Sequence, residues 1–144
     1  MKILVDADAC PVKEILVGIA RRRGIPVTML LDTSHVLDDG YSTVITVDKG
    51  RDSADIRLVN LIQPGDVVVT QDYGVAAMSL ARGAKALNQN GLVYSDKNMD
   101  RLLFERALGQ KIRRAGGRAG KNCKRSKQDD EAFRQALEDL LAGT

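Results

Sequence analysis

At 144 residues the chain is of single-domain size, long enough to bury a core without a disulfide or structural metal. An apolar fraction of 44% beside 28% charged residues excludes a disordered polymer, and no apolar run nears the roughly 20 residues of a membrane span. The net charge of +3 hides an asymmetry, because residues 101–127 carry ten Lys and Arg against Glu105 alone, the footprint of a polyanion partner or of a solvated tail.

Ile3-Leu4-Val5 is too short for a helix and reads as a buried strand. Pro11 stands where a first helical turn tolerates a missing N–H, and Val12, Ile15, Leu16, Ile19 and Ala20 follow on one helical face. Gly24 and Pro26 close that helix, with Arg21, Arg22 and Arg23 at its negative end. The β-branched runs 27–31 and 43–47 predict two strands. The polar loop 32–41 between them holds the single histidine, His35, which carries no catalytic expectation. A helix over 53–62 stops at Pro64-Gly65; a buried strand over 66–70 and a short helix over 75–82 follow. Short strands are expected at 85–87 and 92–94 around the Asn90-Gly91 turn. Asn98 is expected to cap a helix carrying Met99, Leu102, Leu103 and Ala107, and a last helix runs from about 129 to 141.

Strands separated by single helices predict an α/β fold, a three-layer sandwich with a mostly parallel central sheet. The organisation expected is one α/β domain over 1–115, a basic Gly-rich linker or loop over 116–128, and a terminal helix over 129–144 packing on or extending from that domain. Cys10 and Cys123 form neither a disulfide framework nor a zinc pattern, and a short, charge-interrupted N-terminus is no signal peptide, so a reducing cytoplasm is expected. Cys10 near a helix start has a thiolate-favouring position but no base partner, so a small buried cysteine is the expected role.

In open α/β sheets, ligands bind beyond the carboxyl ends of the strands. Asp6 and Asp8 follow the first strand, Asp48 and Asp52 the third, with Asp55 one helical turn on. Asp72 follows the fourth strand and Asp96 the segment 92–94. Aspartates also cap helices and start turns, which is the ordinary reading of any single one. Four strand ends each delivering a carboxylate to one edge point further. Crowded carboxylates repel, a bound cation offsets that repulsion, and hard oxygen donors suit Mg2+ or Mn2+.

Asp6-Ala7-Asp8 after an apolar strand is similar to the opening of haloacid-dehalogenase-type phosphatases, although no substrate cap domain accompanies it. The run Val67-Val68-Val69-Thr70-Gln71-Asp72, continuing through Ala76-Ala77 to Gly83, looks more like the PIN nuclease pattern. Together DADACPVK at 6–13, VDKGRDSAD at 47–55, GDVVVTQDYG at 65–74 and ALNQNG at 86–91 resemble one narrower group, the bacterial YaiI/YqxD family, a PIN-like branch. The likeness covers nearly the whole chain and weakens after Gly116, where Gly120-Lys121-Asn122-Cys123 replaces the family's Gly-Pro.

This resemblance implies a PIN-like fold and a metal-dependent nuclease, RNA favoured, with Mg2+ or Mn2+ as cofactor. Asp6 would be the central metal ligand, and Asp8 or the Asp52/Asp55 pair would take the mid-chain position usually held by glutamate. Asp72 and Asp96 would complete the cluster, with Asp6, Asp8 and Asp72 catalytic. Thr70 would orient a carboxylate, bind phosphate or satisfy a backbone group, and Lys13 would neutralise phosphate or be an ordinary surface lysine. From the charge distribution, Lys111, Arg113, Arg114, Lys124 and Arg125 are expected to hold an RNA backbone. Three Tyr, two Phe and no Trp argue against a stacking platform. Nucleic acid is therefore the expected partner, with no membrane, and with homo-oligomerisation left open. The alternatives are a catalytically idle nucleic-acid-binding or regulatory module, and a small-molecule phosphatase.

Overall fold

The computed structural model describes residues 1–7, 10–32, 40–47, 54–114 and 125–143, without the side chains of 32, 54, 55, 113 and 114. In chain order the elements are β1 (Ile3–Asp6), α1 (Lys13–Arg23), β2 (Val27–Asp32), β3 (Thr43–Val47) and α2 (Ala54–Leu61). They continue as β4 (Val67–Val69), α3 (Tyr73–Ala81), β5 (Lys85–Leu87), α4 (Asp96–Arg114) and α5 (Lys127–Ala142). Among these residues, no helix is long and apolar enough to cross a membrane.

The strands form one sheet in the order β3-β2-β1-β4-β5, every neighbouring pair parallel. Val5 of β1 stands opposite Met29 on one side and Val69 on the other. Alternation along β1 sends Ile3 and Val5 to one face and Leu4 to the other. The first face is covered by Leu16 and Ile19 of α1 with Phe133, Leu137 and Leu141 of α5. The second is covered by Leu58 of α2, Val75 and Ala76 of α3, and Met99 and Leu102 of α4. Burial on both sides is why the strands read as continuous apolar runs. The fold is thus the three-layer α/β sandwich that the sequence predicts, with a sheet that is wholly rather than mostly parallel among the described residues.

From β1 the chain moves to β2 and β3 on one side, then returns through α2 to β4 on β1's other side. The direction of sheet growth reverses between β1 and β4, which opens a crevice at their carboxyl ends. At the opposite end of β4, Asp66 is buried and structural. Its Oδ2 accepts from Lys2 Nζ at 2.6 Å and from the Gln63 N–H at 2.9 Å, and its Oδ1 accepts from the Lys2 N–H at 3.1 Å.

Several boundaries differ from the sequence reading, for local reasons. α1 begins at Lys13, with Pro11 in the preceding turn and Val12 as N-cap, and ends at Gly24 in the left-handed region (φ 68°). The expected strand at 92–94 reduces to one antiparallel bridge, Leu87 with Val93. Asn88 Oδ1 accepts the N–H groups of Asn90 and Leu92 there, so the segment is held as a turn. Asn98 is not the cap of α4. It and Ser95 exchange bonds, Asn98 Oδ1 accepting the Ser95 N–H and Ser95 Oγ accepting the Asn98 N–H, which makes Ser95 the capping residue. α5 begins at Lys127 behind a Ser126/Asp129 capping box, so 127 and 128 belong to the helix rather than to a linker. The loop histidine His35 and the basic segment 115–124 lie outside the described residues.

Candidate active site

The crevice between β1 and β4 is an open cleft of about 830 Å3. Asp6, Thr70 and Asp72 line it from the sheet, and Glu105, Arg106, Leu108 and Ile112 of α4 form a second wall. Because β1 and β4 are parallel neighbours, Asp6 and Asp72 stand at adjacent strand ends.

Thr70, 3% exposed, organises the turn out of β4. Its Oγ1 accepts the Asp72 N–H at 3.0 Å, its N–H donates to Leu87 O at 3.1 Å, and its carbonyl accepts the Tyr94 hydroxyl at 3.1 Å. Asp72 is the N-cap of α3: Oδ1 accepts the N–H groups of Gly74 at 2.8 Å and Val75 at 3.1 Å. That cap starts the helix two residues earlier than its apolar pattern predicts. It also commits one carboxylate oxygen and leaves Oδ2 without a donor among the described residues. Of the roles open to Thr70, the one the structure displays is satisfying a backbone group, the Asp72 N–H. Thr70→Val is therefore expected to leave the Asp72 N–H unpaired and to lower stability by about 1–3 kcal/mol. Thr70→Ser keeps the acceptor and should recover most of that loss, as urea unfolding of the two variants would measure.

An aromatic pair stands beside this turn. The rings of Tyr73 and Tyr94 meet edge to face at 6.0 Å and 70°, and the Arg106 guanidinium lies 5.6 Å from the centre of the Tyr73 ring. Burial, reinforced by Tyr73 and the Asp72 charge, pushes the Tyr94 hydroxyl up to about 12, so it remains a neutral donor to Thr70. Burial also raises Cys10, outweighing the Val12 backbone hydrogen bond and the Lys13 charge that pull it down. Its thiol is protonated at neutral pH, as befits a small buried cysteine.

The structure separates the other candidates. Asp8, Asp48, Asp52 and Lys124 lie outside the described residues, and of Asp55 only its place in the first turn of α2 is described. Asp96 does not line the cleft. It is exposed in the first turn of α4, where a negative charge favours the positive helix end. Lys13 does not line it either, since its Nζ donates to Ala7 O at 3.1 Å and ties down the β1–α1 turn. Each of the three Arg125 nitrogens is engaged, with Nε on Asp130 Oδ1 at 2.7 Å, Nη1 on Asn90 Oδ1 at 2.8 Å and Nη2 on Gln89 O at 2.6 Å. It fastens the start of α5 to the β5–α4 connection rather than offering a phosphate contact. Lys111 is exposed on α4 outside the cleft lining, and Arg113 and Arg114 occupy its last turn. Among the described residues, no three His, Cys, Asp or Glu side chains gather as a metal group.

Sequence reasoning missed Tyr73, Tyr94 and Arg106. A signal was present in α4, which carries a second apolar stripe, Phe104, Leu108 and Ile112, exposed and one turn apart, beside the buried Met99 and Leu102. A helix with two apolar stripes has a second face to account for.

Comparison with known proteins agrees with the sequence motifs. The family described as Uncharacterized BCR, YaiI/YqxD family, matches residues 4–143. A UPF0178 protein of Ruminiclostridium cellulolyticum is 72% identical over 137 residues, covering 95% of this chain and 90% of that protein. One from Alkaliphilus oremlandii is 53% identical, covering 95% and 88%, and one from Clostridium acetobutylicum is 48% identical, covering 98% and 97%. Among solved structures, a crystal structure of a mutant of Rae1 (YacP) from Bacillus subtilis aligns over 100% of both chains at a TM-score of 0.48 and 19% identity, too slight a likeness to carry a conclusion. By the match along nearly its whole length, the chain belongs to the YaiI/YqxD family.

Proposed function

We propose that this chain is a metal-dependent phosphodiesterase acting on RNA, with Asp6 and Asp72 at its centre. The observation that carries this reading is the convergence of the two carboxylates at the β1–β4 reversal, in an open cleft, with Asp72 fixed through one oxygen only. The PIN-like run from Val67 to Gly83 supports it from the sequence.

The donor set fits a hard divalent cation. Mg2+ and Mn2+ sites commonly use one or two carboxylates and complete the shell with water and substrate phosphate, so Asp6 and Asp72 Oδ2 suffice without a protein cage. A closed zinc site finds no such set among the described residues. When bound, the cation supplies charge neutralisation at phosphate oxygens and lowers the pKa of a water. The chain's own contribution is to hold the Asp72 carboxylate still, through the Thr70 hydroxyl and the start of α3. Lys111, Arg113, Arg114 and Lys124 would add affinity for the phosphate backbone without reading sequence.

The test is incubation of the purified chain with end-labelled RNA, DNA of the same sequence, and a phosphate monoester, each with Mg2+, Mn2+ or EDTA. RNA cleavage that requires the metal and is absent from Asp6→Asn is the expected result. Folded protein that cuts nothing with either metal, or hydrolyses only the monoester, would overturn the reading.

A further inference from the structure

Three carboxylates line the described cleft, those of Asp6, Asp72 and Glu105, and Arg106 is the one cation among the lining residues. An arginine in acidic surroundings ordinarily pairs with a carboxylate, as Arg125 does with Asp130 at 2.7 Å. Glu105 itself pairs loosely with Arg101 at 3.7 Å. Arg106 does otherwise. Its described contact is the face of Tyr73, and its N–H donors have no acceptor among the described residues.

This seat is built rather than incidental. Tyr73 is held edge-on by Tyr94, and the Tyr94 hydroxyl is bound to Thr70 O. The same Thr70 holds the Asp72 N–H through its hydroxyl. One buried strand-end residue therefore fixes the Asp72 backbone directly and the arginine through two rings. Ring contact engages the flat face of a guanidinium and leaves its in-plane donors available, a fork that matches two oxygens of a phosphate. A pocket of carboxylates repels a polyanion, so a site that binds phosphate needs a cation placed inside the cleft as well as outside it.

We infer that Arg106, seated on Tyr73, holds a phosphate of the RNA strand in this cleft beside Asp72. The inference rests on the phosphodiester reading of the site and adds to it the group that positions the substrate. It assigns positioning to Arg106, whereas Lys111, Arg113, Arg114 and Lys124 supply general affinity.

The test measures binding of a fluorescent 12-nucleotide single-stranded RNA by anisotropy in EDTA, where no turnover is needed, and steady-state cleavage with Mn2+. Arg106→Ala is expected to weaken binding in EDTA, and to raise KM in any cleavage assay, by about tenfold or more, the scale of losing charge-assisted hydrogen bonds. Arg106→Lys should recover only part, since an ammonium keeps the charge and loses the fork. Tyr73→Leu, which removes the seat but not the charge, should fall between parent and Arg106→Ala. Arg82→Ala removes the same charge from the exposed end of α3, away from the cleft, and should bind like the parent. Equal affinity in parent and Arg106→Ala, or equal losses in Arg106→Ala and Arg82→Ala, would overturn the inference. RNA binding that depends on Arg106 in a protein that cleaves nothing with any metal would instead refute the phosphodiesterase reading and leave Arg106 as a phosphate contact.

Discussion

Asp72→Asn is expected to abolish metal-dependent RNA cleavage, by a factor of roughly 1,000 or more, while the fold melts close to the parent's temperature. The two effects should separate because the proposed function gives the second oxygen of Asp72 a job apart from the helix cap made by the first. Oδ1 caps α3 by accepting from Gly74 and Val75, and asparagine is as good an N-cap as aspartate. The other atom becomes an amide nitrogen, a donor that cannot bind a cation, and the charge that would balance the metal is lost. Losing that charge at a helix N-terminus costs only about 0.3–1 kcal/mol. Asp72→Ala removes both functions and should additionally lower stability by about 1 kcal/mol relative to the asparagine variant. Cleavage time courses with thermal melts of all three proteins provide the check. An asparagine variant that cuts within fivefold of the parent would remove Asp72 from the chemistry and leave it a helix cap.

Phe133→Ala should be the most damaging core substitution in α5, at about 3–5 kcal/mol, or roughly 10–20 °C in melting temperature. Its ring is fully buried in the cluster that joins α5 to α1 and the sheet. The connection on its far side is equally constrained. Gly91 has φ 86°, and a Cβ there would stand 2.5 Å from Ala132 O and 2.7 Å from Ala132 C. Those are backbone atoms of α5, so the collision cannot be relieved by a side-chain rotation. Gly91→Ala is consequently expected to destabilise strongly although it adds a single methyl group. Equilibrium urea unfolding reads both variants. A loss under 1 kcal/mol for Phe133→Ala would mean that α5 contributes little to the core. Because Gln89 on the same connection lines the cleft, these variants should also loosen the site.

The sequence by itself determined the layers of this protein and the edge at which its chemistry is expected. Ile3-Leu4-Val5 and Val67-Val68-Val69 are apolar at every position because parallel strands are buried on both faces, and α1 shows its core face at a period near 3.6. Both signals come from the repeat of backbone hydrogen bonding, which is local and so is written in consecutive residues. Once the sheet is parallel, all carboxyl ends share one edge, and Asp6 and Asp72 must both lie there. The carboxylate cluster expected around Asp6 requires β1 and β4 to be neighbours, and the tertiary structure makes them so. The tertiary structure alone decided the partners of the long polar side chains. Lys13 turns back to Ala7, Arg125 reaches Asn90 across 35 positions, and Arg106 settles on Tyr73. Asp96 looked equivalent to Asp72, yet the 92–94 segment curls into a turn and delivers it to a helix end. A residue's charge is legible from its letter. What neutralises or leaves open that charge depends on which distant backbone atoms packing brings within about 3 Å.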